Sequence, residues 1–381
     1  MRRKFDSILS NFFLKKLYLT NYNLCEWKSN NLKIKNTSIE PIINKSRIDN
    51  YEFKFLNDTK TLHHPINWNE NNWNRLWRFN LHYFDWMREI IEKSLLKNKW
   101  CEKAIYINIL LDQWIMNNPI GKGDGWHSYT ISLRVRNWVW LFSIFPEYVT
   151  EIRIKSLWDQ ICWLDRHPEK YLGGNHWLEN LITLLIGSLQ FEGDKSDSIY
   201  KNALKNLENE LSSQILKDGG HEERSASYHI LLLDRLIELA CVIEKTKKKK
   251  IKWLDETILK MTNFAECIQL KNNQFPTFND SPNNGCPNIG IVINFAKSFL
   301  YGIEGEISPL RSLLLSNTSK LNFSFYEKKI IQSRNKLITN LEDTGWCFIR
   351  PNDYWELVIK YGKSCPKYLP SHAHSDTLSF D

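Results

Sequence analysis

The chain has 381 residues, of which 42% are hydrophobic and 25% charged, a composition of an ordinary globular protein with room for two domains. Its formal net charge of +8 favours an acidic partner, and no recognised nucleic-acid motif accompanies the charge, so a nucleic acid is not expected. Eight scattered cysteines without a C-x-x-C pair exclude a zinc ribbon or a dense disulfide framework, and no stretch approaches the roughly 20 apolar residues of a membrane helix.

Met1-Arg2-Arg3-Lys4 opens the chain, but Asp6, Ser7, Ser10 and Asn11 interrupt the apolar run to Phe13, so a signal peptide is not expected. Residues 1–65 are rich in Asn, Lys and Ile with weak periodicity and read as an extension wrapped onto a main domain. Apolar periodicity then predicts helices near 72–97, 100–117, 129–144, 150–166, 175–191, 197–216, 225–246, 252–268 and 288–301. The basic run Lys245 to Lys250 between two of them reads as a solvated loop. Paired helices of this kind form an array or a toroid of α-hairpins, and no sequence repeat decides which. After about residue 320 the period changes. Gly345 to Arg350 and Tyr354 to Lys360 flank Pro351-Asn352-Asp353 as a β-hairpin, and a further strand begins near 376. A strand starting there reads as a chain that stops partway through its second domain. The expected divisions are 1–65, 66–318 and 319–381.

Three segments carry chemistry. Gly173-Gly174-Asn175-His176-Trp177-Leu178-Glu179-Asn180 and Asp218-Gly219-Gly220-His221-Glu222-Glu223-Arg224-Ser225-Ala226-Ser227-Tyr228 each feed a Gly-Gly turn into an amphipathic helix, whose N-terminus offers free N–H donors to an anion. Asn175 suits both a helix cap and an amide donor. His176 and Glu179, three apart, share a helix face, so the carboxylate either fixes the imidazole tautomer or forms a buried ion pair between helices. Tyr228, near a helix start and beside a cationic group, reads as a phenol with a lowered pKa. In Ser371-His372-Ala373-His374-Ser375-Asp376, two imidazoles and a carboxylate within five residues suggest catalysis or a metal.

Together with Leu76-Trp77-Arg78-Phe79-Asn80-Leu81-His82-Tyr83-Phe84-Asp85 and Ser132-Leu133-Arg134-Val135-Arg136-Asn137-Trp138, these segments resemble the heparinase II/III family of polysaccharide lyases from about residue 65 onward. The resemblance implies a mainly α fold: an incomplete α/α toroid of helical hairpins followed by the first strands of an antiparallel β-sandwich. It implies an acidic polysaccharide as the substrate and β-elimination at a uronic acid as the reaction. The implied catalytic residues are Asn175, His176, Glu179, Tyr228 and His372, with Glu179 neutralising the substrate carboxylate, Tyr228 as acid or also base, and His372 as base or neutraliser. No cofactor is required; His374 matches a zinc ligand of some members, a structural metal at most. Arg78, Tyr83, Trp126, His127 and Arg134 are the expected substrate contacts, by guanidinium or by ring stacking. Two other readings stay open: a glycoside hydrolase using paired carboxylates among Asp124, Glu222 and Asp280, and a non-catalytic binder of acidic glycans.

Overall fold

A computed structural model describes residues 26–27, 50–97, 105–282, 285–316, 336–352, 354–366, 368 and 379–380. The chain divides into two units, Met1–Leu204 and Lys205–Asp381.

In the first unit a short strand, β1 (Glu26–Trp27), is followed by an antiparallel hairpin of β2 (Asn50–Phe55) and β3 (Asp58–His63), registered from Asn50↔His63 to Phe55↔Asp58. Its two-residue turn, Leu56-Asn57, has φ of 54° and 60°, the primed geometry that matches strand twist. This hairpin lies within the segment read as weakly periodic. Its turn lacks the glycine that usually marks such a connection, although Tyr51 and Phe53 alternate inward as a half-buried strand should.

The helix expected over 72–97 is two helices, α1 (Arg75–Tyr83) and α2 (Asp85–Lys97). Between them Phe84 adopts a left-handed conformation, φ 63° and ψ 18°. Such a residue costs about 1–2 kcal/mol. Burial among Trp68, Trp86, Trp114 and Trp138 offsets that strain. The amide of Asn137 closes the break, donating 2.9 Å to the Tyr83 carbonyl and 2.8 Å to Asp85. The side chain of Asn74 caps α1 by accepting from the Leu76 N–H at 2.8 Å.

Helices α3 (Ile105–Asn117), α4 (Ser128–Ile144), α5 (Glu151–Arg166) and α6 (Gly174–Ser188) follow. Almost every side chain of α4 is buried, because α1, α5 and α6 pack around it. Strand β4 (Phe191–Glu192) pairs antiparallel with β1, and α7 (Asp194–Gln214) carries the chain across the unit boundary.

In the second unit α8 (Ala226–Lys247) packs against α9 (Lys252–Ile268), α10 (Ile289–Tyr301) and α11 (Pro309–Leu315). An antiparallel sheet then follows in the order β5 (Ile338–Leu341), β6 (Trp346–Ile349), β7 (Leu357–Lys360), β8 (Ser379–Phe380). The expected hairpin is β6–β7, registered Trp346↔Lys360 to Ile349↔Leu357, and β8 joins it at Phe380↔Ile359. Strand β5 is additional to the expected hairpin. Leu341, Trp346, Phe348 and Val358 form the sheet's buried face. The fold is therefore mainly helical, with antiparallel strands after the helices, as expected. The six described cysteines are free thiols, three of them buried. No described helix is long and apolar enough to cross a membrane.

Candidate active site

The first Gly-Gly turn works as the sequence suggests, except for its cap. Gly173, at φ 65°, is itself the N-cap of α6 and no side chain caps it. Asn175 is therefore not the cap; it lies in the first turn, buried, one residue before His176. The His176 side chain is 44% exposed, and its Nδ1 lies 3.2 Å from Oε2 of Glu169. The Tyr129 ring packs on the imidazole at 4.5 Å between centroids.

Glu169 is a residue that sequence reasoning missed. Its carboxylate is almost wholly buried, with Oε1 3.5 Å from Nε2 of His127. Its backbone N–H donates 2.7 Å to Asn180 Oδ1, and Asn180 Nδ2 donates 2.9 Å to Ser132 Oγ. The loop carrying Glu169 is thereby fastened to both α6 and α4. His127 stacks near Phe79, and burial pulls its pKa down, with Glu169 opposing. The Tyr83 ring lies 5.9 Å from Tyr129, and burial, with Asp85 and Glu169 adding to it, pushes its phenol up. Tyr83, His127, Tyr129, Glu169 and His176 thus form one cluster.

Glu179 does not partner His176. It pairs at 3.1 Å with Arg136 of α4, both side chains buried. The ion pair between helices is the arrangement found, and the tautomer-fixing carboxylate comes from Glu169 instead. Two expected substrate contacts, Arg134 and Trp126, are buried, and a third, Arg78, is held in an ion pair. Arg134 is fully buried, donating to Gln160 Oε1, the His82 carbonyl and the Gly125 carbonyl while it covers the Trp114 ring at 3.8 Å. Trp126 is buried between Trp114 and Trp163 and donates to the Asn118 carbonyl. Arg78 is held 2.7 Å from Asp124 and by the carbonyls of Glu70 and Trp73. Arg134 and Trp126 are interior side chains, while Arg78 is partly exposed and its guanidinium is engaged by Asp124. Asp124 also accepts from Arg75, so the hydrolase reading loses a free carboxylate there.

In the second unit Gly219 has φ +94°, and a Cβ there would sit 2.3 Å from the Lys260 carbonyl oxygen. Only glycine fits. Asp218 accepts from the Gly220 N–H at 3.0 Å and from the Thr344 N–H at 2.7 Å, tying this turn to the start of the sheet. Ser225 caps α8, accepting from the Tyr228 N–H, and Ser281 donates to Ser225 Oγ at 2.9 Å. Tyr228 is half-buried, and its hydroxyl donates 3.0 Å to Asp280 Oδ2. Burial, then Asp280, push the phenol well above its ordinary value. The expected lowering by a cation is overturned, because the hydroxyl faces a carboxylate. Glu222 pairs with Tyr368. Nearby Lys360 is buried against Asn279, and desolvation with Arg224 pulls its amine down to about 8.

His372, His374 and Asp376 lie outside the described residues. Among the described residues, no group of three or more His, Cys, Asp or Glu side chains is placed to hold a metal ion.

The chain belongs to the heparinase II/III family of polysaccharide lyases. The family's N-terminal model, "Heparinase II/III N-terminus", matches residues 8–296, and its "Heparinase II/III-like, C-terminal" model matches 333–381. Among solved structures, heparinase III is similar at 18% identity and TM-score 0.63, over 96% of this chain and 60% of that one. A mutant of the heparan sulfate lyase HepC from Pedobacter heparinus is similar at 18% identity and TM-score 0.58, over 96% and 57% respectively. The chain therefore spans about 60% of the length of these relatives. At such identities the likeness is one of fold. No curated protein sequence matches the chain.

Proposed function

We propose that the chain is a polysaccharide lyase that cleaves a uronic-acid-containing polysaccharide by β-elimination, leaving a C4–C5 unsaturated uronate end. The C5 proton of a uronate is weakly acidic because the adjacent carboxylate is already negative. Asn175 and the N–H groups at the start of α6 donate to that carboxylate and stabilise the enolate-like transition state. His176 takes the C5 proton. The electron pair left at C5 becomes the C4–C5 double bond, the C4–O4 bond breaks, and the departing oxygen takes a proton, the role that the family resemblance implies for Tyr228. Solvent then takes the proton from the His176 imidazolium and returns one to the phenolate, so that both groups are restored and no water is consumed. The observation that supports this reading best is the pairing of Tyr228 with Asp280 at 3.0 Å, which keeps the phenol protonated as an acid requires. The net charge of +8 suits an acidic chain. His374 is the implied zinc ligand, and no step of the proposed reaction runs through a metal.

The test is absorbance of the unsaturated uronate during incubation with uronate-containing polysaccharides at low salt. A rise that Tyr228→Phe abolishes, with glycan binding retained, is the expected result. Binding without any rise, from folded wild-type protein, would refute the lyase reading in favour of a glycan-binding role. New reducing ends without absorbance would instead indicate hydrolysis.

A further inference from the structure

We infer that Glu169 is a positioning residue that locks the His176 imidazole in its Nδ1–H tautomer and leaves the Nε2 lone pair as the proton acceptor. The inference rests on the lyase reading only for its catalytic consequence. A carboxylate accepts and never donates, so the nitrogen facing it carries the hydrogen. Glu169 Oε2 faces His176 Nδ1 at 3.2 Å. The carboxylate is fixed before any ligand arrives. It is 3% exposed, and Asn180 holds the backbone of the same residue.

The second imidazole makes the device asymmetric. Glu169 Oε1 lies 3.5 Å from His127 Nε2, the ring nitrogen on the side of the carboxylate, which favours the opposite tautomer there. Its Nδ1 is buried and has no hydrogen-bond partner among the described residues. Protonating that nitrogen would bury an unpaired N–H, which costs about 1–3 kcal/mol. His127 is thus held neutral, while His176 is the more exposed of the two rings on the same carboxylate. The other titratable or charged groups around the pair are Tyr83 and Tyr129, with Arg75 and Asp124 acting on His127; Glu179, on the His176 helix, is engaged by Arg136. None of them competes for His176 Nδ1.

This arrangement resembles the orienting carboxylate of a hydrolytic triad in logic, not in chain order. Free imidazole prefers the Nε2–H form, which would aim an N–H, not a lone pair, at a substrate proton. Glu169 reverses that preference.

Heteronuclear NMR of the full chain with labelled histidine, in buffer alkaline enough to keep both rings neutral, reads the tautomers directly. His176→Gln and His127→Gln assign the signals. The expected spectrum shows hydrogen on Nδ1 of His176 and on Nε2 of His127, with His176 reverting to Nε2–H in Glu169→Ala. Hydrogen on Nε2 of His176 in the wild-type chain overturns the inference, and that measurement needs no variant to fold. So does an unchanged His176 tautomer in folded Glu169→Ala. In the lyase assay Glu169→Ala should lower kcat about 100-fold with KM little changed, the size of effect a misaligned group produces. If the wild-type chain forms no unsaturated product, the lyase reading fails while the tautomer spectrum still decides the role of Glu169.

Discussion

Replacing Glu179 by alanine separates two roles that the same carboxylate could fill. The family resemblance implies contact with substrate, whereas the structure buries Glu179 against Arg136 at 3.1 Å with side-chain exposures of 1% and 0%. Coulomb attraction at that separation is about 5 kcal/mol at an effective dielectric of 20. Desolvating both ions takes back several kcal/mol, so the intact pair contributes little net stability. Removing one partner is different: an uncompensated guanidinium in the interior costs about 3–5 kcal/mol. For a unit of this size, at about 2–4 °C per kcal/mol, melting should fall by roughly 6–20 °C in Glu179→Ala. The double variant Arg136→Met/Glu179→Leu should recover most of the loss, because packed apolar side chains replace buried pairs well. Calorimetry and urea unfolding of Arg136→Met, Glu179→Leu and the double variant give the cycle. A Glu179→Ala protein that melts within about a degree of wild type yet has lost polysaccharide turnover would refute the structural role and return Glu179 to the substrate.

Two further outcomes follow from groups in the second unit. Asp280→Asn removes the charge that raises the Tyr228 phenol, so its ionisation, followed by tyrosinate absorbance, should move to lower pH; an acid is lost once deprotonated, and the alkaline limb of activity should move the same way. Lys360 has a folded value of about 8 against an ordinary 10.5, so the unfolded chain binds the extra proton between those values and the contribution of Lys360 to stability should rise with pH across that window. Urea unfolding at several pH values should show the rise in wild type and its loss in Lys360→Met; an identical pH dependence in both would contradict the assignment.

Much of the helical framework is legible in the sequence because its boundaries carry local signals. The predictions 150–166 and 288–301 fall within a residue of α5 and α10, where Thr150 and Asn288 cap with their own side chains. The break at Phe84 is not legible, since the pocket that stabilises its left-handed backbone comes from Trp68, Trp114 and Trp138, distant in the chain. The candidate site divides in the same way. His176 and Tyr228 stand out because each follows a Gly-Gly turn at a helix start. Glu169 and the pairing of Asp280 with Tyr228 are not legible, because each carboxylate is a single acidic residue in a loop and Asp280 lies 52 positions from Tyr228. Arg134 and Trp126 mislead for a complementary reason: residue type suggests a sugar contact, but only packing reveals burial.

The one-residue interruption at Phe84 has a consequence for how this segment can change over time. A helix advances about 100° per residue, so deleting Phe84 would not merely fuse α1 to α2 but turn every downstream side chain by that angle. Asn137, which grips both sides of the break, would then meet the wrong backbone groups. Substitutions along α1 and α2 can be absorbed one side chain at a time, whereas a change of length at this joint cannot. Insertions and deletions among functional descendants should therefore collect in the exposed turns and spare residues 83–85.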